Sequence, residues 1–344
     1  MAQLSSLAEY LISRVAEAGR SDTVNETVLH VASAAAELST LIGRGSLEED
    51  LAAGCGNNVQ GEVQKRLDVI ANDEIMKAAR EAPVAVLLSE EINDPVIFDQ
   101  NKPIALAVDP LDGSSNIEVN AAIGTIFSLL PANSADPASS FLQPGRNQLA
   151  AGCVIYGPQT RLALTLGSGT TLFTLDREKG EFFQTGIATI APQTSEFAIN
   201  ASNYRHWTDG IRCYVNDCLA GEEGPLGKDY NMRWLAAVAG EAQRILARGG
   251  IFIYPPDKRN GYGEGRLRLI YEGNPIAFLI EQAGGDATDG QRRILDLEPQ
   301  TVHQRTGLCF GASEEVARLA RYLAMPVEDS PPLFGRRGLF IVKG

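Results

Sequence analysis

The hydrophobic positions near the start of the chain follow the spacing of an amphipathic helix. Apolar side chains recur three or four positions apart, which places them on one helix face. The pattern fades at Gly43 and Gly45, so we expect the helix to end there. A second helix is predicted over residues 69–82. The recurring positions of the first helix are Val24, Val28, Val31, Ala35 and Leu38.

Beyond residue 82 the chain changes to short apolar runs separated by turn residues. Residues 84–88 and 104–108 are almost continuously apolar, which is typical of strands buried on both faces. The segment 131–148 is rich in Ser, Ala and Pro and predicts an exposed loop. Further strands are predicted over residues 122–131, 150–156 and 161–174.

Strands and helices also alternate in the second half, which predicts an α/β fold throughout. A Pro, Thr and Ser stretch at 191–195 predicts a boundary between an N-terminal α/β domain, 1–195, and a C-terminal one, 196–344. Arg266 and Arg268 would share one face of a strand. The predicted strands are 197–200, 251–254 and 266–271, and the predicted helices are 232–248 and 274–282.

Composition and charge exclude several classes of protein. The 344 residues are 44% hydrophobic and 21% charged, the balance of a soluble globular protein. A net charge of −13 disfavours nucleic acid and anionic membranes as partners, because both attract basic surfaces. An anionic ligand would therefore need metal ions or a local basic pocket.

The cysteines and the N-terminal sequence predict a reduced, cytoplasmic protein. Five cysteines are scattered without a CxxC pair, unlike a disulfide framework. Cys213 and Cys218 are interpreted as free thiols. The first residues lack the basic and apolar regions of a signal peptide, and no apolar run approaches the length of a membrane span.

The segment 109–118, DPLDGSSNIE, carries the most informative chemistry. Asp109 and Asp112 follow a predicted buried strand and lie three positions apart across a turn begun by Pro110, so both can point at one spot. Converging carboxylates repel one another unless a cation lies between them, and oxygen ligands favour Mg²⁺ or Mn²⁺. The small residues 113–115 can bind an anion through backbone N–H groups.

Acidic residues also end two other predicted strands. Glu90 and Glu91 follow the strand at 84–88, and Glu272 follows the strand at 266–271. Burying acids at three strand ends is costly without a common partner, so one shared metal cluster explains all three. A metal cluster beside an anion cradle indicates phosphoryl chemistry. The alternative is three solvated loop ends with an ordinary Asx turn at the first.

Other chemistries find little support in the sequence. The three histidines, His30, His206 and His303, are far apart and lack an HExxH pattern or cysteine partners, which disfavours zinc. We interpret them as surface or capping residues. No nucleophile elbow, Walker A loop or dinucleotide fingerprint is found.

Together these segments resemble the class I fructose-1,6-bisphosphatases. Two signature stretches match, DPLDGSSNI at 109–117 and GRLRLIYEGNPIA at 265–277, and the resemblance runs from about residue 25 to 325. The GSSNI continuation separates this family from its inositol monophosphatase relatives. Supporting matches are GEVQKRLD at 61–68, SEE at 89–91, YGPQT at 156–160 and GGIFIYP at 249–255.

The resemblance implies a layered α/β/α/β/α sandwich that assembles as a homotetramer. It implies hydrolysis of the 1-phosphate of fructose 1,6-bisphosphate, in gluconeogenesis or the Calvin cycle. Two or more Mg²⁺ ions per site are implied, with Mn²⁺ as the alternative metal. The expected partner is a small sugar bisphosphate.

The resemblance also assigns roles to individual residues. Asp68 and Glu91 match the acidic pair that activates the attacking water, and Glu62 matches an acid of the nearby mobile loop. Arg233 matches a residue that reaches into the neighbouring subunit's site. The implied metal ligands are Glu90, Asp109, Asp112, Glu272 and the carbonyl of Leu111. The implied substrate contacts are Asp112, Gly113, Ser114, Ser115, Asn200, Tyr204, Tyr254 and Arg266.

Several departures from the family pattern bear on substrate and regulation. Trp234 stands where a tyrosine is common, Arg266 replaces a lysine, and the loop 256–264 is longer than usual. We therefore expect sedoheptulose 1,7-bisphosphate to be accepted too. Pro103 and Ile104 occupy the place of the Lys-Tyr pair of AMP-inhibited members, which predicts weak or absent AMP inhibition.

Two other readings stay open from the sequence alone. The chain could be a different phosphomonoesterase of the same superfamily, such as an inositol phosphate phosphatase. It could also be an inactive sugar-phosphate sensor, although a sensor would be expected to have lost at least one metal carboxylate.

Overall fold

A computed structural model describes residues 4–18, 22–47, 50–57 and 63–324 of the chain. Glu62, which the sequence assigns to a mobile loop, lies outside these segments. None of the helices in the described segments combines the length and apolar character needed to cross a bilayer. The N-terminal elements are α1 (Leu7–Ala18), α2 (Asp22–Arg44), β1 (Gly54–Asn57), β2 (Val63–Lys65) and α3 (Arg66–Glu81).

An eight-stranded sheet follows, with strand order β10-β9-β8-β7-β6-β5-β3-β4. The neighbours β3 and β5 run parallel and are buried along their whole length, as their apolar runs predict. The strands are β3 (Val84–Ser89), β4 (Val96–Ile97), β5 (Ile104–Asp112), β6 (Ile123–Pro131), β7 (Ala150–Tyr156), β8 (Thr160–Thr165), β9 (Thr170–Asp176) and β10 (Glu181–Ala188).

A five-stranded sheet, ordered β12-β11-β13-β17-β15, is built from the rest of the chain. A short antiparallel ribbon, β14-β16, lies beside it. The division into domains 1–195 and 196–344 stays a prediction. The strands and helices are β11 (Glu196–Ile199), α4 (Asp209–Leu219), β12 (Asn231–Met232), α5 (Val238–Arg248), β13 (Ile251–Tyr254), β14 (Leu267–Arg268), α6 (Asn274–Gln282), β15 (Asp286–Thr288), β16 (Arg305–Thr306), β17 (Leu308–Gly311) and α7 (Ser313–Ala324).

The elements stack in five layers, because both sheets bury both faces. Helices α1–α3 share a hydrophobic core with one face of the large sheet, where β8 contributes Leu162 and Leu164. Helices α5 and α6 pack between the two sheets. They share a hydrophobic cluster with Ala163, a small residue of the large sheet, and with Phe252 of the small sheet. Helices α4 and α7 cover the outer face of the small sheet. The α/β/α/β/α sandwich is confirmed.

The helix predicted over 232–248 begins only at Val238. Ala236 adopts a left-handed conformation, φ 58°, which breaks the helical path. The Leu235 amide instead donates to the Glu241 carboxylate at 2.7 Å, so the chain wraps around the first turn of α5. Tertiary contacts therefore override a continuous helical pattern here.

Two other predictions of local structure are wrong in detail. The segment 161–174 forms two strands, because a turn containing Gly167 and Gly169, both at positive φ, divides it. The loop 131–148 contains two short 3₁₀ turns, and Phe141 is completely buried. An aromatic side chain in a Ser- and Pro-rich loop thus anchors that loop to the core.

Candidate active site

A cavity of about 580 Å³ opens between the two sheets, at the carboxyl end of β5. Of the residues predicted for function and described by the structure, all but Tyr204 and Arg233 line this cavity. Tyr204 is 43% exposed, and its hydroxyl contacts Asn216. Arg233 pairs with Glu196 at 3.7 Å. Their predicted substrate roles therefore stay predictions.

Three buried carboxylates converge at one end of the cavity. Asp109, Asp112 and Glu272 each offer an oxygen, and these oxygens lie within 4.8 Å of one another. Both aspartates belong to β5, which runs through Asp112 rather than ending before a turn as predicted. Residues three apart on a regular strand face opposite sides, but the pairing with β6 shifts between them. This irregularity lets both carboxylates share one site.

Glu272 reaches the site from a π turn, Leu269–Gly273, and not from the end of a strand as predicted. The predicted strand is reduced to Leu267–Arg268, after which the chain coils directly into α6. The Arg268 amide donates to Glu272 Oε2 at 2.5 Å and fixes the carboxylate. Insertions of this π type recur at functional sites.

Glu90 lies at the end of β3, where its amide donates to the Val108 carbonyl at 3.1 Å. Its side chain lies outside the set of three, but its charge acts on two of them. Burial, followed by the charge of Glu90, raises the pKa of Asp109 and of Glu272 well above the ordinary carboxyl range. The charges of neighbouring acids therefore oppose the ionisation of Asp109 and of Glu272.

Asp112 is the acid with the strongest compensation from the backbone. Burial raises its pKa to about 6, opposed by the amides of Ala239 and Val238. Ala239 N donates to Asp112 Oδ2 at 2.7 Å, so the carboxylate sits at the N-terminus of α5. The positive end of a helix favours the ionised form.

The donor set fits a hard divalent cation. The clustered groups are carboxylates without a histidine or a thiol among them, which suits Mg²⁺ or Mn²⁺ better than zinc. Removing their charge repulsion requires either protons or a cation. A cation explains why acids are retained where burial disfavours them.

Two glycines allow α5 to approach the carboxylates closely. A Cβ on Gly124 would lie 2.3 Å from the Val154 oxygen and 2.5 Å from the Ala239 Cβ. Gly113, at φ 84°, would place a Cβ 2.7 Å from the Ala237 Cβ. Side chains at these positions would push the first turn of α5 away from Asp112.

We expect Gly124→Ala to destabilise the protein by roughly 3 kcal/mol or more, because backbone atoms must move. It should also lower the phosphatase activity that the sequence resemblance implies, by displacing Asp112. Gly186→Ala is the matched control, since Gly186 lies in strand β10 with nothing within 4 Å of an added Cβ. Thermal unfolding and turnover of both variants check this, and equal behaviour of the two would contradict it.

Asp68 lies beside the carboxylate cluster at the start of α3. The Lys65 amide donates to Asp68 Oδ2 at 2.6 Å, whereas Oδ1 is buried without a hydrogen-bond partner among the described residues. Burial, reinforced by the charge of Glu91, raises the pKa of Asp68 to about 7. Glu91 accepts a hydrogen bond from Gln64 at 2.7 Å. A carboxyl titrating near neutrality suits proton transfer.

Aromatic and basic residues form the opposite end of the cavity. The Trp234 ring stacks on Phe252, with ring centroids 5.8 Å apart and planes 6° from parallel. Tyr254 continues the stack at 6.2 Å from Trp234. Asn200 lines the same region, where its side-chain oxygen also caps the Ser202 amide.

Two basic residues at the site were not assigned from the sequence. Arg268 lines the cavity although it is only 3% exposed, and it donates to the Arg266 carbonyl at 2.9 Å. Lys65 also lines the cavity and pairs with Glu118. The alternation of basic and apolar residues that includes Arg266 and Arg268 indicates Arg268 in the sequence, whereas no local pattern indicates Lys65.

Comparison with known proteins identifies the family. The profile for the fructose-1-6-bisphosphatase N-terminal domain matches residues 5–186, and that for the C-terminal domain matches residues 190–324. A class 1 fructose-1,6-bisphosphatase of Methylorubrum extorquens is 52% identical over 340 residues, 97% of each chain. The class 1 enzyme of Rhizobium meliloti is 50% identical over 344 residues, covering 98% of this chain and 99% of its own.

A solved structure agrees with the sequence relatives. The Leishmania major fructose-1,6-bisphosphatase in holo form superposes with a TM-score of 0.86 at 30% identity, covering 93% of this chain and 99% of that one. Both halves of the fold and nearly the whole length of the chain are therefore matched. The chain belongs to the class 1 fructose-1,6-bisphosphatase family.

Proposed function

We propose that the protein is a phosphatase that hydrolyses the 1-phosphate of fructose 1,6-bisphosphate to give fructose 6-phosphate and phosphate. The observation that carries this is the cavity itself. It joins a buried carboxylate cluster, a turn of small residues at 113–115 and a basic aromatic end. A bisphosphate needs recognition at both ends, and the cavity offers different chemistry at each.

The proposed metal ligands are Glu90, Asp109, Asp112, Glu272 and the backbone carbonyl of Leu111. These would hold two or more divalent ions, Mg²⁺ or Mn²⁺. When bound, such ions neutralise phosphoryl charge and acidify a water molecule.

The chain's own groups would orient the substrate and move the proton. Asp68, whose Oδ1 has no hydrogen-bond partner among the described residues, would accept a proton from water, and Glu91 would assist. The turn of small residues 113–115 would offer backbone N–H groups to the 1-phosphate. Arg266 and Tyr254 would bind the distal phosphate and the sugar.

The stacked indole favours a second substrate, sedoheptulose 1,7-bisphosphate. Trp234 packs face to face on Phe252, so it presents a flat apolar edge with one N–H donor. Arg266 adds a planar fork that can bind phosphate bidentately. Phosphate binding by this wall of the cavity would depend less on a hydroxyl group at one fixed position, so the cavity could accommodate a longer sugar.

Phosphate release from purified protein tests the proposal. We expect Mg²⁺-dependent release from fructose 1,6-bisphosphate, comparable release from sedoheptulose 1,7-bisphosphate, and none with EDTA. Inositol 1-phosphate serves as the comparison for the wider superfamily. Inactivity on both sugar bisphosphates with metal present would contradict the proposed function, and a thousand-fold preference for fructose 1,6-bisphosphate would exclude the second substrate.

AMP is expected to inhibit weakly or not at all. Pro103 and Ile104 offer neither a cation nor an aromatic hydroxyl. The adjacent Lys102 is already engaged, because its ammonium donates to the Ala82 carbonyl at 2.6 Å. An AMP titration at saturating Mg²⁺ checks this, and half-inhibition at micromolar AMP would contradict it.

We further propose a cytoplasmic homotetramer in which Arg233 completes a neighbouring site. Arg233 follows β12, whose two residues Asn231 and Met232 are exposed at the edge of the small sheet. An arginine beside an open sheet edge is available to a second copy. Sedimentation of the wild type and of Arg233→Ala, with the Michaelis constant of each, tests both parts.

A further inference from the structure

His303 connects two segments that carry candidate metal ligands. Its Nδ1 lies 2.9 Å from the Tyr271 hydroxyl, and its Nε2 lies 2.8 Å from the backbone oxygen of Asn93. Tyr271 directly precedes Glu272 in the π turn, and Asn93 lies three residues beyond Glu90. One imidazole thus spans the two chain segments.

The partners of the ring determine which nitrogen carries the hydrogen. A backbone carbonyl only accepts, so Nε2–H donates to Asn93. In the neutral ring Nδ1 then accepts from the Tyr271 hydroxyl. A planar ring bonded at both nitrogens holds its two partners at a fixed separation.

The backbone around His303 is anchored to the π turn without help from the imidazole. Leu269 N donates to the Gln304 carbonyl at 2.9 Å, and Arg268 pairs with Arg305 across the β14-β16 ribbon. Val302 packs on the buried cluster that contains Tyr271. The imidazole is therefore a rigid extension of the turn that carries Glu272.

The segment that receives this extension is less firmly held. Ile92 N donates to the Ser89 carbonyl at 3.4 Å, a long hydrogen bond, and Asn93 itself is exposed. The imidazole links this segment to the Glu272 turn through its two hydrogen bonds, to Asn93 and to Tyr271.

We propose that His303 is a positioning residue that holds the Glu90 segment against the Glu272 turn and so sets the metal affinity of the site. This inference rests on the proposed metal site, and His303 is not itself one of the proposed metal ligands. Residues that orient metal ligands without binding the metal themselves typically change metal affinity by about 10–100-fold.

His303→Asn and His303→Gln separate positioning from bulk stability. The Asn amide cannot reach Asn93, whereas the Gln amide nitrogen can take the place of Nε2–H. We expect His303→Asn to raise the Mg²⁺ or Mn²⁺ concentration for half-maximal thermal stabilisation about ten-fold or more, and His303→Gln to restore most of it. The metal dependence of phosphatase activity should shift in parallel. His30→Asn, on α2, is the control.

Equal weakening by Asn and Gln, or weakening by neither, would overturn the proposal. Tyr271→Phe, which keeps the ring and removes one bond, gives a second test and should shift the metal titration in the same direction. No shift in that variant would also count against it. The thermal titration needs no substrate, so failure of wild-type fructose 1,6-bisphosphate hydrolysis would contradict the proposed function separately.

Discussion

Asp109→Asn is expected to lose phosphatase activity by about a thousand-fold or more, while the metal-free protein becomes at least as stable to heat as the wild type. Activity falls because the carboxylate of a proposed metal ligand is replaced by a neutral amide. Stability is kept because the amide oxygen can still accept from Leu111 N, as Asp109 Oδ1 does at 3.0 Å. One of the mutually repelling charges is removed at the same time.

The pH dependence of this variant follows from the raised pKa of the buried acids. Burial and the charge of Glu90 raise the pKa of Asp109 above its unfolded value, so the folded state holds protons that the unfolded chain releases. This contribution to stability is complete below about pH 4 and is lost as pH rises through the folded pKa. Asp109→Asn should therefore flatten the decline in the metal-free unfolding midpoint toward alkaline pH.

Differential scanning at about pH 5.5 and about pH 8, with and without Mg²⁺, measures this. The wild type should gain more from Mg²⁺ at the higher pH, where protons compete less for the carboxylates. Glu178→Gln, an exposed acid in the turn after β9, is the control. A metal-free Asp109→Asn protein clearly less stable than wild type would contradict the repulsion on which the site depends.

Asp68→Asn is expected to lower turnover by about 10²–10⁴-fold without weakening metal binding. An amide can still accept from the Lys65 amide, so the start of α3 should keep its geometry. What disappears is a group able to take a proton. Steady-state kinetics, together with thermal unfolding at increasing metal concentration, distinguishes this variant from Asp109→Asn, which should lose both turnover and metal binding.

Glu91→Gln provides the comparison for Asp68. Glu91 is bonded to Gln64, whereas Asp68 has a buried oxygen without a partner among the described residues, so the larger effect should come from Asp68. Turnover of Asp68→Asn within ten-fold of wild type would exclude it as the proton acceptor. A larger loss for Glu91→Gln would transfer that role to Glu91.

The elements that sequence predicts well are those whose hydrophobic pattern agrees with their tertiary surroundings. The apolar runs at 84–88 and 104–108 become β3 and β5, and the helix predicted from residue 69 becomes α3. Asp109 and Asp112 share one site as predicted, but through an irregular stretch of β5 and not through the predicted turn. A long apolar run followed by acids leaves few alternatives once the strand is buried.

The parts that sequence misses depend on polar contacts that the hydrophobic pattern does not encode. A period-two pattern over 266–271 predicts a strand, but Asn274 N donates to the Leu269 carbonyl and closes a π turn instead, while Arg268 N donates to the Glu272 carboxylate. Leu235 similarly bonds Glu241 and delays the start of α5. Lys65 reaches the cavity only because its hairpin folds over it. The hydrophobic pattern gives no sign of these contacts, although two of them join residues only four and six positions apart.

The stacked rings at the aromatic end of the cavity include a tryptophan, whose fluorescence can report on that end. The chain contains two tryptophans, and Trp207 is buried beneath α4 with its ring edge-on to Tyr204. Trp234, by contrast, forms part of the cavity wall. Binding at the aromatic end of the cavity can therefore be followed through the fluorescence of Trp234 during turnover, without labelling the protein.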